Sequence, residues 1–156
     1  MKLIDNFLPE KDFQELVKGI VWSSTFPFYL NAEVSAEDDD TPELNNWYGN
    51  AKLIRNPAPM FKPLLEYFGD KAFRLKVNFY PHTEKIYEHK PHVDYTYEHK
   101  GAILSLNTCD GFTRLEDGTK IESIANRMLI FDSFKLHNSS TTTNAKGRFN
   151  ININYL

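Results

Sequence analysis

The chain has one cysteine, Cys109, in 156 residues. No intrachain disulfide can form, so packing and hydrogen bonds must hold the fold, and a reducing compartment suits it. No apolar run approaches the roughly 20 residues that a membrane helix needs. Charge of one sign is also lacking: 18 Lys and Arg stand against 21 Asp and Glu, a net charge of −3. Without a basic excess, bulk attraction to phosphate is not the expected binding mode, and nucleic acid is not the expected partner. A local basic groove is compatible with this balance. The opening MKLIDNFLPEKDF carries acids early and has no apolar signal core. There is no internal repeat and no low-complexity linker. These absences predict a soluble cytoplasmic protein with no membrane partner, monomeric or weakly dimeric.

What is present is 41% hydrophobic and 14% aromatic residues. A chain of this size is expected to form one domain, 1–156, burying roughly two thirds of its unfolded surface. Phe13, Leu16, Val17, Ile20 and Val21 recur at helical spacing, which predicts an amphipathic helix with Pro9 in its first turn. A second short helix is predicted near Met60–Phe68, closed by Gly69. Between them, residues 23–50 are irregular and contain the acidic run Glu37–Asp40. From Lys71 the period changes to two. FRLKVNFY, GAILSLNT, RMLIFDS and RFNININYL read as strands, and RLEDGTKIE reads as a hairpin with Asp117-Gly118 at its tip. The expected fold class is mainly β with supporting N-terminal helices. Helical support over about 1–70 would precede an antiparallel sandwich or jelly roll over about 71–156.

Two strands carry an unusual polar face. In 73–80, Phe73, Leu75, Val77 and Phe79 alternate with Arg74, Lys76, Asn78 and Tyr80. In 148–155, Phe149, Ile151, Ile153 and Tyr155 alternate with Arg148, Asn150, Asn152 and Asn154. Asparagine is depleted in strands, and three on one face imply defined partners for their amides. A polar barrel interior holding a small dianion would supply them. Arg148 would offer that dianion a planar fork matched to a carboxylate, whereas a buried arginine without a partner is costly. The competing reading is a solvated face, with Arg148 on a structural carboxylate such as Asp132.

The segment HKPHVDY, His89–Tyr95, contains His92-Val93-Asp94. Chance alone places an acid two positions after one of the five histidines about 0.7 times, and a second such pair exists at His82-Thr83-Glu84. An H-x-D pair on a strand projects both side chains to one face. One further histidine would complete two imidazoles and a carboxylate with open coordination positions, a pattern that suits non-haem Fe(II). His137, 45 residues after His92, is the candidate, and Arg148 follows 11 residues later. One turn and one strand fit that interval, so ligand and charge clamp would share a cavity.

In this order, H-x-D, distant His, then Arg one strand later, the chain resembles the 2-oxoglutarate and Fe(II)-dependent dioxygenases of the prolyl 4-hydroxylase-like branch. The segment from Gly111 to Tyr155 is similar to short stand-alone oxygenases of marine bacteriophages, and IDNFLPEKDFQELV resembles the opening helix of the branch. A phage origin would place the protein in the host cytoplasm. The resemblance implies a double-stranded β-helix, or jelly roll, of cupin-like form. It implies iron held by His92, Asp94 and His137, with 2-oxoglutarate as co-substrate and O₂ as oxidant. Arg148 would meet the distal carboxylate of 2-oxoglutarate, and Tyr80, Asn78 and Asn150 match positions near it. HVD aligns with the family motif and HTE does not, which leaves His82 and Glu84 in a loop and His89 and His99 as surface or supporting groups. The implied reaction couples decarboxylation of 2-oxoglutarate, to succinate and CO₂, with hydroxylation of a second substrate.

The branch points to a prolyl residue in a peptide or protein as that primary substrate. A free amino acid, another small metabolite or a nucleobase stays open. Trp47, Tyr48, Tyr95 and Tyr97 are candidate substrate-facing aromatics, and residues 32–46 form a candidate lid. Two rival classes remain at this level: a non-catalytic jelly-roll module binding peptide or sugar, and a zinc hydrolase with a similar ligand set.

Overall fold

The computed structural model describes residues 1–29, 34, 52–53 and 56–156. Nine strands and two α-helices run in the order β1 (Lys2–Ile4), α1 (Glu10–Ile20), β2 (Lys52–Leu53), α2 (Lys62–Phe68), β3 (Ala72–Pro81), β4 (Lys100–Ser105), β5 (Cys109–Leu115), β6 (Lys120–Ser123), β7 (Met128–Phe131), β8 (His137–Ser139) and β9 (Gly147–Tyr155). They form two antiparallel sheets. A six-stranded sheet has the order β1-β7-β4-β9-β3-β2, and a three-stranded sheet has the order β6-β5-β8. This is the jelly-roll class expected from the alternating segments. The N-terminal segment does more than give helical support, because β1 and β2 close the two edges of the larger sheet.

The alternation fixes which side each face serves. Leu75 and Val77 of β3, Ala102 and Leu104 of β4, and Ile151 and Ile153 of β9 point to one side of the larger sheet. There they pack against Leu16 and Ile20 of α1 and Leu64 and Phe68 of α2 in one buried cluster. Each Leu, Ile, Val or Phe among them contributes about 1.5–3 kcal/mol on burial. Helix α1 begins at Glu10, so Pro9 is its cap residue rather than part of its first turn. Helix α2 ends where Gly69 takes φ +57°, as expected of a glycine at a helix C-terminus. A smaller cluster of Ile103, Ile121, Leu129 and Phe131 fills the space between the sheets. The β5–β6 turn has Gly118 at φ +84°, and Gly118 donates its N–H to Leu115 O at 2.9 Å.

One expected stripe residue does not follow its stripe. The alternation groups Phe73 with Leu75, Val77 and Phe79, yet it is 42% exposed. The β3–β9 register slips between Ala72 and Arg74. The extra residue turns Phe73 away from the helix-facing core, onto Tyr95, Tyr97 and His99.

Candidate active site

The other face of β3 and β9 is the polar one, and it faces the smaller sheet. The register sets Arg74 opposite Asn154, Lys76 opposite Asn152, Asn78 opposite Asn150 and Tyr80 opposite Arg148. Asn78, Asn150, Asn152, Asn154, Tyr80 and Arg148 are all buried. The solvated-face reading therefore fails. Above these side chains lies a small cavity, open at its mouth, lined among others by Lys76, Asn78, Tyr80, His92, Asp94, Thr113, His137 and Asn152.

His92, Asp94 and His137 meet at one end. Their donor atoms lie within 4.8 Å of one another: His92 Nε2 is 3.6 Å and His137 Nε2 3.9 Å from Asp94 Oδ1. The backbone explains the meeting. His92 and His137 form an antiparallel bridge, each N–H donating to the other's carbonyl at 2.9 and 3.0 Å. This sets their rings 4.5 Å apart. Asp94 N–H donates to Ser133 O at 3.1 Å, which ties the H-x-D segment to the turn before β8. A carbonyl only accepts, so the 2.9 Å contact from His137 Nδ1 to Lys135 O places the ring proton on Nδ1. Nε2 is thereby left as a lone-pair donor facing Asp94. Burial, with His92 nearby, lowers the His137 pKa and favours this neutral form.

Asp94 is held from the floor of the cavity. Asn154 Nδ2 donates to its Oδ2 at 2.8 Å and Asn152 Nδ2 at 3.3 Å, while Arg74 Nη1 lies 3.7 Å from its Oδ1. Burial works against its charge. Hydrogen bonds from His92 and Asn154, with the nearby His137 and Arg74, outweigh it and hold the carboxyl well below the usual range. The result is an ionised carboxylate and two close imidazoles, which fits a divalent cation whose remaining positions stay open.

Arg148 stands at the far end of this polar face, against the cavity-lining Thr113 and Tyr80, four residues along β9 from Asn152, or roughly 13 Å at the ordinary strand rise. It is 1% exposed. Its Nη2 donates to Thr113 Oγ1 at 2.8 Å and its Nη1 to Ser140 O at 3.3 Å; among the described residues Nε has no acceptor. Among the described residues no carboxylate pairs with it, and Asp132 is bound to Lys100 instead. Its guanidinium sits over the Tyr80 ring, 5.5 Å from the centroid. Gly111 makes room for the stem, since a Cβ there would come within 2.7 Å of Arg148 Cδ. The other polar positions are a matched pair, Asn78 Nδ2 donating to Asn150 Oδ1 at 2.9 Å.

The remaining residues fall in several places. His82 is exposed, with Nδ1 3.1 Å from Ala145 O, away from the donor cluster. His89 and His99 are buried, not on the surface. His89 bonds Ser139 Oγ at 2.7 Å and packs on Tyr80, behind the Arg148 end. Burial, then the Arg148 charge, lowers its pKa to about 3. Tyr95 and Tyr97 are not in the cavity wall. They stack on each other in an aromatic group with Phe73 and His99, joined to the site by Arg74, which lies 5.8 Å from the Tyr95 ring centre. Trp47 and Tyr48 lie outside the described residues, as does the lid candidate 32–46 apart from Val34, which is buried and lines the cavity beside Tyr80. Sequence reading did not single out Thr113, Gly111, Arg74 or Lys76. The polar stripe on β3 already contained the last two, whereas Thr113 and Gly111 reach the site only through pairing of the smaller sheet.

No protein-family model matches the sequence, and no curated protein matches it. Solved structures do match. A Pseudomonas putida prolyl-4-hydroxylase aligns with TM-score 0.65 at 13% identity, over 99% of this chain and 90% of that one. A Trichoplax adhaerens prolyl hydroxylase, solved with a hypoxia inducible factor peptide, aligns with TM-score 0.67 at 16% identity, over 99% and 82%. The non-heme alpha ketoglutarate dependent epimerase SnoN from nogalamycin biosynthesis aligns with TM-score 0.69 at 12% identity, over 99% and 76%. The chain is therefore built on the fold shared by these prolyl hydroxylases and this epimerase.

Proposed function

We propose that the protein is a non-haem Fe(II) dioxygenase that couples oxidative decarboxylation of 2-oxoglutarate to hydroxylation of a second substrate. One observation carries the reading. A two-histidine, one-carboxylate donor set and a buried guanidinium without a carboxylate stand at opposite ends of one polar face. A zinc hydrolase has no use for the guanidinium, and a sugar- or peptide-binding module has no use for the donor set. The fold shared with prolyl hydroxylases and an alpha ketoglutarate dependent epimerase supports the same class and leaves its substrate open. That likeness leaves two substrate classes open: a prolyl residue in a peptide, as the Trichoplax adhaerens prolyl hydroxylase solved with a peptide suggests, and a free amino acid.

In this reading His92, Asp94 and His137 hold the iron, which supplies the O₂ chemistry when bound. Their work is fixed beforehand. The proton on His137 Nδ1 keeps Nε2 free to ligate, and Asn152 and Asn154 aim the Asp94 carboxylate. Arg148 orients 2-oxoglutarate through its distal carboxylate, with Thr113 and Tyr80 shaping that end and the Asn78–Asn150 pair flanking the middle. Val34, Ile103 and Tyr80 help exclude water. The test is anaerobic addition of Fe(II) and 2-oxoglutarate, which should give a weak visible charge-transfer band, followed by succinate release in air. If neither appears, the assignment is wrong.

A further inference from the structure

Lys76 stands on the same face as the site residues, directly opposite Asn152 in the β3–β9 register, and both line the cavity. No ion pair or hydrogen bond engages its ammonium among the described residues; the cation beside Asp94 is Arg74. Asn152 is half-engaged in a complementary way. A carboxylate only accepts, so its Nδ2 must face Asp94 Oδ2. This turns Oδ1 the other way, where it is buried with no donor among the described residues. A free cation and an orphaned acceptor thus sit side by side, next to the donor cluster and away from Arg148.

The local charge balance points the same way. Among the described residues of this face, Arg74, Lys76 and Arg148 are three cations against the single carboxylate of Asp94. A divalent ion and a dianionic co-substrate would cancel each other and leave two positive charges uncompensated. A neutral internal peptide residue would not reduce that excess, and a carboxylate on the primary substrate would. Burial, then the Arg74 charge, lowers Lys76 to about 8, which still leaves it protonated at neutral pH.

We infer that Lys76 and Asn152 form a recognition site for the primary substrate, and that this substrate is a small molecule bearing a free carboxylate, of the amino-acid type. The inference rests on the dioxygenase reading. Lys76 pairs with the substrate carboxylate, and Asn152 Oδ1 accepts from an N–H of the same molecule. The two groups hold the C–H to be oxidised beside His92 and His137. Lys76 here is a specificity residue: it neither ligates iron nor meets the distal carboxylate of 2-oxoglutarate.

The test is anaerobic calorimetry on the protein loaded with Fe(II) and 2-oxoglutarate, using paired probes that differ only in the carboxylate. Suitable pairs are L-proline and L-prolinamide, L-leucine and L-leucinamide, and N-acetyl-L-proline and its amide. At least one acid should bind on the order of tenfold more tightly than its amide, the size of one desolvated charge pair. Lys76→Met, shown folded by circular dichroism, should erase that preference, and Lys76→Arg should keep most of it. The assignment is overturned if no acid outbinds its amide, or if the preference survives in Lys76→Met. It is also overturned if Lys76→Met weakens 2-oxoglutarate itself by the same factor, which would place the ammonium with the co-substrate. Failure of the dioxygenase reading shows separately, as loss of the charge-transfer band before any probe is added.

Discussion

At one end of the polar face Asp94 already has its partners: two asparagine amides and a guanidinium hold the carboxylate. At the other end Arg148, more deeply buried, has one hydroxyl, one backbone carbonyl and, among the described residues, no anion. The difference separates two ways of preparing a site. Asp94 is a charge whose desolvation is offset before any ligand arrives, so its geometry is set by the fold. Arg148 is a charge whose desolvation is only partly offset, and a ligand's carboxylate would complete the balance. The first arrangement fixes direction; the second creates affinity.

Removing a donor should have the largest effect. His92→Ala or His137→Ala should reduce Fe(II)-dependent succinate formation to background, with weakened iron binding in an anaerobic titration. Intact turnover in both variants would remove the cluster from catalysis. Next comes Arg148→Met, which should raise the 2-oxoglutarate requirement roughly 30-fold or more, the usual cost of breaking a buried charge pair. Iron affinity should stay near that of the parent. The same variant sharpens the comparison through stability, because replacing an under-partnered buried charge should not lower the melting temperature of the ligand-free protein. A clear drop would mean that Arg148 is satisfied by the fold after all.

A smaller effect is expected at the prepared end. Asn154→Ala removes the 2.8 Å bond to Asp94 and should weaken iron about 10- to 100-fold in the same titration, as loss of a ligand's supporting hydrogen bond does. The smallest effect concerns acid. His89 has a folded-state pKa of about 3, lowered by burial and then by Arg148, against about 6.5 in an unfolded chain. Between these values the unfolded chain binds the extra proton, so stability falls as pH falls from about 6.5 toward 3. Asp94, held low, keeps its contribution until pH falls below about 4, and loses most of it below the histidine window. His89→Gln should flatten only the histidine share, read as a shallower dependence of melting temperature on pH. An equally steep profile would remove His89 as the cause.

Much of this site could be read along the chain. Period two in 73–80 and 148–155 gave the two faces, and the asparagines marked the inner one before any pairing was known. The H-x-D pair, His137 and Arg148 stand in an order the topology brings to the two ends of one polar face. HVD and HTE differ by nothing in their own composition; the family resemblance ranks them, and the fold agrees, placing His92 in a bridge with His137 and His82 on the surface. Phe73 was misassigned because a bulge moves one residue out of a stripe without altering the stripe's pattern. His89 was placed among surface or supporting groups, since a histidine's burial depends on what folds over it.

The sequence by itself determined the chemistry on offer: which side chains alternate, which of them are charged, and that one face of two strands is too polar and too rich in asparagine for an ordinary core. Those properties follow from the two-residue repeat of an extended chain. Only the tertiary structure decided how they combine. Antiparallel register set Lys76 against Asn152 and Tyr80 against Arg148, the smaller sheet brought Thr113 and Gly111 to the guanidinium, and the His92–His137 bridge brought the donors within reach of one ion. These are contacts between residues tens of positions apart, set by strand pairing and sheet packing, and no local pattern encodes them.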